Sequence, residues 1–292
     1  MIDQLIPKRR FNESVNLSIV GFGGIVTLGE SQKEANDVVA WSFDQGINYF
    51  DVAPSYGDGE AERKLGNALR PVRKQVFLAC KTTRRDAQGA RAELERSLSR
   101  LHTDHFDLYQ FHAVTTLDEV EQILGPGGAA ETFFKARQEG KIRYIGFSAH
   151  SEEAAMALME RYSVDSILFP VNAACYAGGF GPRVVRRAQE KGIARLALKA
   201  LAIGPWPEQY QHAYPLCWYQ PTDDPVLAAR SLRFTLSEPV TAALPPGDET
   251  LFRLAVDIAR SFTPMDDAER GELLAESARV HPLFPLPEGA ST

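Results

Sequence analysis

Short runs of β-branched and aromatic residues alternate along this chain with longer segments whose apolar positions recur every three or four residues. The short runs predict strands at residues 18–21, 49–51, 77–81, 106–111, 144–148, 166–170, 194–198 and 241–244. The longer segments predict helices between them. Residues 31–45 carry Ser31 as an N-cap and stop at Gly46, and residues 87–101 set Leu94, Leu98 and Leu101 on one face. Residues 130–139, 152–161, 182–191, 225–237 and 250–261 follow the same period. Strand–helix alternation repeated this often implies parallel strands joined by crossover helices.

Eight evenly spaced strands favour an α/β fold of the closed (β/α)8 TIM-barrel type over an open, doubly wound sheet. The open sheet calls for G-x-G-x-x-G after its first strand, and Gly21-Phe22-Gly23-Gly24-Ile25-Val26 breaks that pattern at the third glycine. One domain is expected over residues 1–281, with an N-terminal β-hairpin or extension and a structured loop after strand seven. A loose tail is expected over 282–292. The loop, residues 205–221, is rich in proline and aromatics and too apolar for a flexible tether.

The chain has 292 residues, 44% of them hydrophobic and 24% charged, as in globular proteins. A net charge of -6 lacks the basic excess that marks a nucleic-acid binder, so no nucleic-acid partner is expected. No apolar run approaches the ~20 residues of a membrane helix. Lys8, Arg9 and Arg10 precede no apolar segment of the kind a signal peptide has. Cys80, Cys175 and Cys217 are odd in number and far apart, forming neither a metal pair nor a disulfide framework, so a reducing cytoplasm is expected.

In a (β/α)8 barrel, chemistry sits at the C-terminal ends of the strands. Asp51 ends the second predicted strand, Lys81 the third, and His112 follows the fourth. Tyr56 lies just beyond Asp51 in Asp51-Val52-Ala53-Pro54-Ser55-Tyr56-Gly57. Singly, each is as well explained by structure, since a strand-end Asp or Lys often packs and a lone His usually does. Four at successive strand ends are not. A tyrosine, with a reference pKa of ~10, becomes a better acid beside an ammonium, and a carboxylate keeps that ammonium charged and oriented. A histidine can hydrogen-bond the substrate oxygen. Such a group donates a proton to an oxygen that becomes alkoxide-like on accepting hydride. None of these side chains carries a hydride, so a nicotinamide is required.

The segment from Asn48 through Asp51 and Tyr56 to Glu60 resembles the aldo-keto reductase signature, in which Asp and Tyr stand five apart before a glycine. Ala79-Cys80-Lys81-Thr82, the run from Phe106 to His112, and the run from Gly140 through Gly146 to Ser148 resemble further motifs of that family, with the likeness reaching from about Arg10 to Asp257. The resemblance implies NAD(P)H-dependent interconversion of a carbonyl (an aldehyde, ketone or sugar) and its alcohol. Tyr56 would be the general acid, Lys81 and Asp51 would tune it, and His112 would orient the carbonyl. It also implies cofactor contacts at Gly23, Gly24, Asp51, Ser148, Asn172, Leu198, Lys199, Leu201, Gly247, Asp248 and Arg253. Substrate contacts fall at Ile25, Tyr56, His112, His150 and Trp206, and no metal is implied.

The departures are specific. Ala149 and His150 follow Ser148, where the family commonly has an Asn on the nicotinamide carboxamide; His150 either faces substrate or packs. Leu198 stands where many members stack a tyrosine. Pro170 takes the place of the usual strand-six Gln, and Asn172 is its candidate replacement. Near the expected 2′-phosphate cradle the chain reads Pro245-Pro246-Gly247-Asp248-Glu249, so Gly247 replaces a cation and Arg253 is the nearby positive charge. Asp248 would repel a phosphate; it either accepts from a ribose 2′-hydroxyl or complements the following helix. A slight lean to NADH or dual use follows. Trp206, Tyr210, Tyr214, Trp218 and Tyr219 form either a lid or a self-packed cap, and residues 113–128 would make another pocket wall. No iron–sulfur module is expected, for want of cysteines. Two alternatives are a metal-dependent barrel hydrolase using Asp51, His112 and His150, and a non-catalytic nicotinamide-binding regulator.

Overall fold

The computed structural model describes residues 5–208, 212–281 and 283–286. In chain order, an N-terminal hairpin pairs β1 (Lys8–Arg10) with β2 (Asn16–Ser18), antiparallel. Then come β3 (Phe22–Gly23), α1 (Gln32–Asp44), β4 (Tyr49–Asp51), α2 (Glu60–Leu69), β5 (Phe77–Thr82), α3 (Ala87–Arg100) and β6 (Phe106–Val114). These are followed by α4 (Leu117–Leu124), α5 (Ala129–Gln138), β7 (Ile142–Ala149), α6 (Glu152–Arg161), β8 (Ser166–Pro170), α7 (Ala173–Ala177), α8 (Pro182–Glu190) and β9 (Ala194–Leu198). The chain continues through β10 (Ala202–Pro205), β11 (Tyr219–Pro221), α9 (Pro225–Ser237), β12 (Ala242–Leu244), α10 (Glu249–Arg260) and α11 (Asp267–Ser277).

The residues divide into two compact units, one of Gly21–Leu168 and one of Met1–Val20 with Phe169–Thr292. In the first, β3 to β7 pair in sequence, all parallel, and β7 pairs with the start of β8. In the second, β9 pairs in parallel with β12, and Val20 bridges to Ala243 beside it. Eight parallel strands alternating with helices make the (β/α)8 barrel expected from the sequence.

Local sequence explains most boundaries. Ser31 caps α1 in a reciprocal box with Glu34, and Asp86 caps α3 by accepting from Gly89 N–H. All six residues of β5 are buried, the continuous apolar habit of a strand covered on both faces, with Lys81 the conspicuous exception in type. Among the described residues no helix is long and apolar enough to cross a membrane.

Several elements depart from expectation. The first predicted strand, 18–21, is split: β2 ends at Ser18, and the parallel strand begins at Phe22. Four helices were not predicted. In α2 the inward face carries Ala61, Glu62 and Leu65, and the buried Glu62 disguises its apolar period. Residues 113–128, expected as a pocket wall with no helix predicted there, contain α4, announced by a Thr116–Glu119 capping box. The five residues of α7 are too few for a period, and Leu273 is the buried position of the charged α11. The structured loop after strand seven holds the antiparallel pair β10–β11. Tyr210, residue 282 and residues 287–292 lie outside the described residues.

Candidate active site

Strand register builds this site within the Gly21–Leu168 unit. Asp51 on β4 aligns with Ala79 on β5, and Lys81 aligns with Gln110 on β6. Alternate residues of a strand share a face, so Tyr49 and Asp51, Ala79 and Lys81, and Gln110 and His112 project together. Lys81 Nζ donates to Asp51 Oδ1, with both residues only 1% exposed. Lys81 Nζ also lies 3.5 Å from Val52 O. The second carboxylate oxygen, Oδ2, accepts the Tyr49 hydroxyl at 3.2 Å and Gln110 Nε2 at 2.9 Å. A buried ion pair tolerates desolvation when its remaining lone pairs are satisfied in this way. Burial opposes the ammonium of Lys81, but the charges and hydrogen bonding of its neighbours outweigh it, and its pKa stands above the ordinary lysine value.

Tyr56 reaches the same place from the turn after β4. Its backbone N–H donates to Ala53 O at 3.1 Å, closing the turn. Gly57, at φ 58°, then takes a left-handed conformation, and a Cβ there would lie 2.6 Å from Leu28 Cδ2. The Lys81 ammonium sits 5.3 Å from the Tyr56 ring centroid. Burial raises the phenol pKa most strongly, Lys81 pulls it down, and Asp51 pushes it up; the balance is above the ordinary value. The expected lowering by the ammonium is therefore present, and burial exceeds it.

The ring of His112 lies edge-on to Tyr56, at 6.0 Å between centroids and 84° between planes. A register shift in the β6–β7 pairing between Phe111 and Val114 brackets it, and Ala113 has φ 53°. Such a bulge re-aims a side chain. Ser148 Oγ accepts Ala113 N–H at 2.7 Å, which leaves its own O–H to donate elsewhere. Arg85 Nη2 donates to His112 O at 2.7 Å and Ala113 O at 3.2 Å while pairing with Glu119 of α4 at 2.8 Å. Gly24 packs so closely that a Cβ would meet Val52 Cγ2 at 2.8 Å; Gly23 and Ile25 flank it, partly exposed. His150, also partly exposed, donates its backbone N–H to Val114 O at 3.4 Å.

The remaining sequence-predicted residues belong to the other unit. Lys199, at φ 63° and 5% exposed, sets its ammonium 5.0 Å from the Trp218 ring and 5.7 Å from the rings of Tyr219 and Phe284. Burial lowers its pKa to about 8. Asn172 donates Nδ2 to Lys199 O at 3.1 Å and accepts Cys175 N–H at 2.8 Å, so both ends of its amide already serve the fold. Leu198 pairs with Leu244, while Leu201 is fully buried. Trp206 stacks on His212 at 4.8 Å and donates Nε1 to Cys217 O at 2.7 Å. Gly247 is buried at the turn before α10. Asp248 caps α10 by accepting Leu251 N–H at 3.1 Å, and Arg253 Nε donates to Glu249 at 2.7 Å. Of the two roles weighed for Asp248, helix capping is the contact observed.

Sequence reasoning missed Tyr49, Gln110 and Arg85. Tyr49 and Gln110 were detectable, since each is a polar residue two positions before a candidate on the same strand face. Arg85 acts through main-chain carbonyls, for which sequence carries no signal. The hydrolase alternative meets a physical obstacle, because Lys81, Tyr49 and Gln110 occupy both Asp51 oxygens. Among the described residues no group of three His, Cys, Asp or Glu is placed to hold a metal ion.

Comparison with known proteins defines the class. Residues 20–233 match the model of the aldo/keto reductase family, and the chain belongs to that family. It is similar to the aldo-keto reductase YhdN of Bacillus subtilis, 36% identical over 151 residues, covering 48% of this chain and 44% of that protein. The holo form of aldo-keto reductase AKR11C1 from Bacillus halodurans superposes with a TM-score of 0.74 at 25% identity, covering 98% of this chain and 100% of that one. An aldo-keto reductase from Klebsiella pneumoniae in complex with NADPH shares the fold, with a TM-score of 0.69, 22% identity, and coverage of 100% and 98%. The chain spans about half the length of the curated relatives it matches, 55% of one and 44% of another.

Proposed function

We propose that the protein is an NAD(P)H-dependent oxidoreductase that interconverts a small carbonyl compound, an aldehyde, ketone or sugar, with its alcohol. The observation that carries this reading is the buried Lys81–Asp51 pair facing the Tyr56 ring. That arrangement stores a positive charge beside a phenol, where a proton must be delivered as negative charge develops on a carbonyl oxygen. Tyr56 donates the proton, Lys81 stabilises the phenolate left behind, Asp51 holds the ammonium, and His112 orients the carbonyl through a hydrogen bond. The bound nicotinamide supplies or accepts the hydride.

The donor chemistry suits such a cofactor. Ser148 keeps an O–H to offer a carboxamide, Lys199 is a buried cation matched to a pyrophosphate, and Gly23 and Gly24 allow close backbone approach. Leu198 covers an apolar ring face, and Asn172, Leu201 and Gly247 contribute through backbone or remaining N–H groups. Ile25, His150 and Trp206 are the proposed substrate contacts. Titrating NADH and NADPH by fluorescence and then screening carbonyls and sugars with the better cofactor tests the reading. No turnover across that screen would overturn it in favour of a binding-only regulator.

Cofactor choice follows from charge at the adenosine end. Arg253 is already paired with Glu249, and Asp248 adds a second carboxylate nearby. A 2′-phosphate gains most from a bidentate cation and is repelled by carboxylates. Weak discrimination or a modest NADH preference is expected, measured as two dissociation constants at low and at physiological salt. NADPH binding more than tenfold tighter, about 1.4 kcal/mol, would overturn it.

Arg85 donates to the two successive carbonyls of His112 and Ala113. Arg85→Met is expected to lower kcat by about tenfold with cofactor affinity retained. A variant with wild-type kcat would mean that the strand alone positions His112.

A further inference from the structure

We propose that Gln110 and Tyr49 are positioning residues for the acid–base group, holding Asp51 so that its charge serves Lys81 and is shielded from Tyr56. This inference rests on the carbonyl-reduction reading above. The geometry is specific. Asp51 Oδ1 takes the lysine, and Oδ2 takes two donors from two different strands: the Tyr49 hydroxyl of β4 at 3.2 Å and Gln110 Nε2 of β6 at 2.9 Å. Gln110 lies level with Lys81 in the β5–β6 register, so one strand's amide and its neighbour's ammonium converge on one carboxylate.

Packing alone gives no reason for a glutamine here. Gln110 is fully buried, and its Oε1 is a buried acceptor with no hydrogen-bond partner. The amide cannot turn over to pair it, since that would face Oε1 with the Asp51 carboxylate. An unmet buried acceptor is destabilising, and an apolar side chain of similar volume would avoid it. A buried amide that leaves its own oxygen unmet in order to donate to a reactive carboxylate marks a residue placed for that carboxylate. Tyr49 fits the same role: burial first, then Asp51, hold its phenol well above the ordinary pKa, so it remains a donor.

Two donors aimed at Oδ2 offset part of the carboxylate's negative field. The titratable groups that act on Tyr56 are Lys81, Asp51 and Cys80, while Tyr49 couples to both Asp51 and Tyr56. His112 faces it edge-on. Cys80 is buried against Glu62, and its thiol is held well above its ordinary pKa, so it stays neutral. Lys81 pulls the phenol's pKa down and Asp51 pushes it up. Removing either donor leaves Asp51 more strongly negative toward Tyr56, which becomes a weaker acid.

The test compares Gln110→Met and Tyr49→Phe with the wild-type chain. Gln110→Met is expected to stay folded, with its melting temperature measured alongside, and to keep its cofactor dissociation constant. Its kcat should fall about tenfold. The alkaline limb of carbonyl reduction should move up by on the order of half to one pH unit in both variants. Ultraviolet titration of tyrosinate, with Tyr56→Phe as the difference reference, reads the same shift without turnover. An unchanged phenol titration in Gln110→Met overturns the proposal, as does a lowered melting temperature with an unmoved limb, which would mean a structural role. Absence of carbonyl turnover in the wild-type chain would instead strike the proposed function, while the tyrosinate titration still decides the positioning role.

Discussion

Tyr56→Phe is expected to retain nicotinamide binding and to lose carbonyl reduction by ~10²–10⁴-fold, the usual range for removing a general acid. The substitution deletes one oxygen and keeps the ring, so the edge-on contact with His112 and the approach of Lys81 survive. The loss should fall on kcat, because the hydroxyl's contribution grows as charge develops on the substrate oxygen. Side-by-side fluorescence titration and steady-state kinetics measure it. Near-normal turnover in the phenylalanine variant would remove Tyr56 from the mechanism and leave His112 as the candidate proton donor.

Lys81→Met is the second large effect, and it acts on chemistry and stability together. Without the ammonium, the phenol of Tyr56 keeps the upward push of burial and of Asp51 and loses the opposing pull. Turnover at neutral pH should fall by about 10²-fold or more, with the alkaline limb displaced upward. Asp51 would also be left buried without its cation. Breaking such a pair costs about 3–5 kcal/mol, moderated here by the two donors on Oδ2. The melting temperature is therefore measured with the kinetics, and kcat is expressed per folded enzyme. A variant in which KM alone rises would make Lys81 a binding residue. The sign of the pH dependence is fixed by the raised pKa of Lys81. The pair's contribution is fully present below the unfolded lysine value of ~10.4 and is lost only as pH rises through the higher folded one. Within the neutral range, stability should not track this group.

The sequence by itself determined the alternation of strands and helices, the barrel fold, and three of the four candidate groups by strand position. Tyr49–Asp51, Ser166–Pro170 and Ala194–Leu198 coincide with their predicted runs because apolar continuity in a doubly covered strand is a local signal. The spacing of Asp51 and Tyr56 before Gly57 was equally local, since it reflects a turn that needs a left-handed glycine. Tertiary structure decided what those residues face. Only the β4–β5–β6 register brings Gln110 beside Lys81 and turns its amide onto Asp51. Only the folded loop commits Asn172 to Cys175 and Lys199, and Asp248 to the cap of α10, contacts that compete with the cofactor roles their positions implied. The direction of the Tyr56 pKa also lay beyond sequence. Spacing places an ammonium next to a phenol, but desolvation depends on everything packed around both, and here burial is the larger of the two.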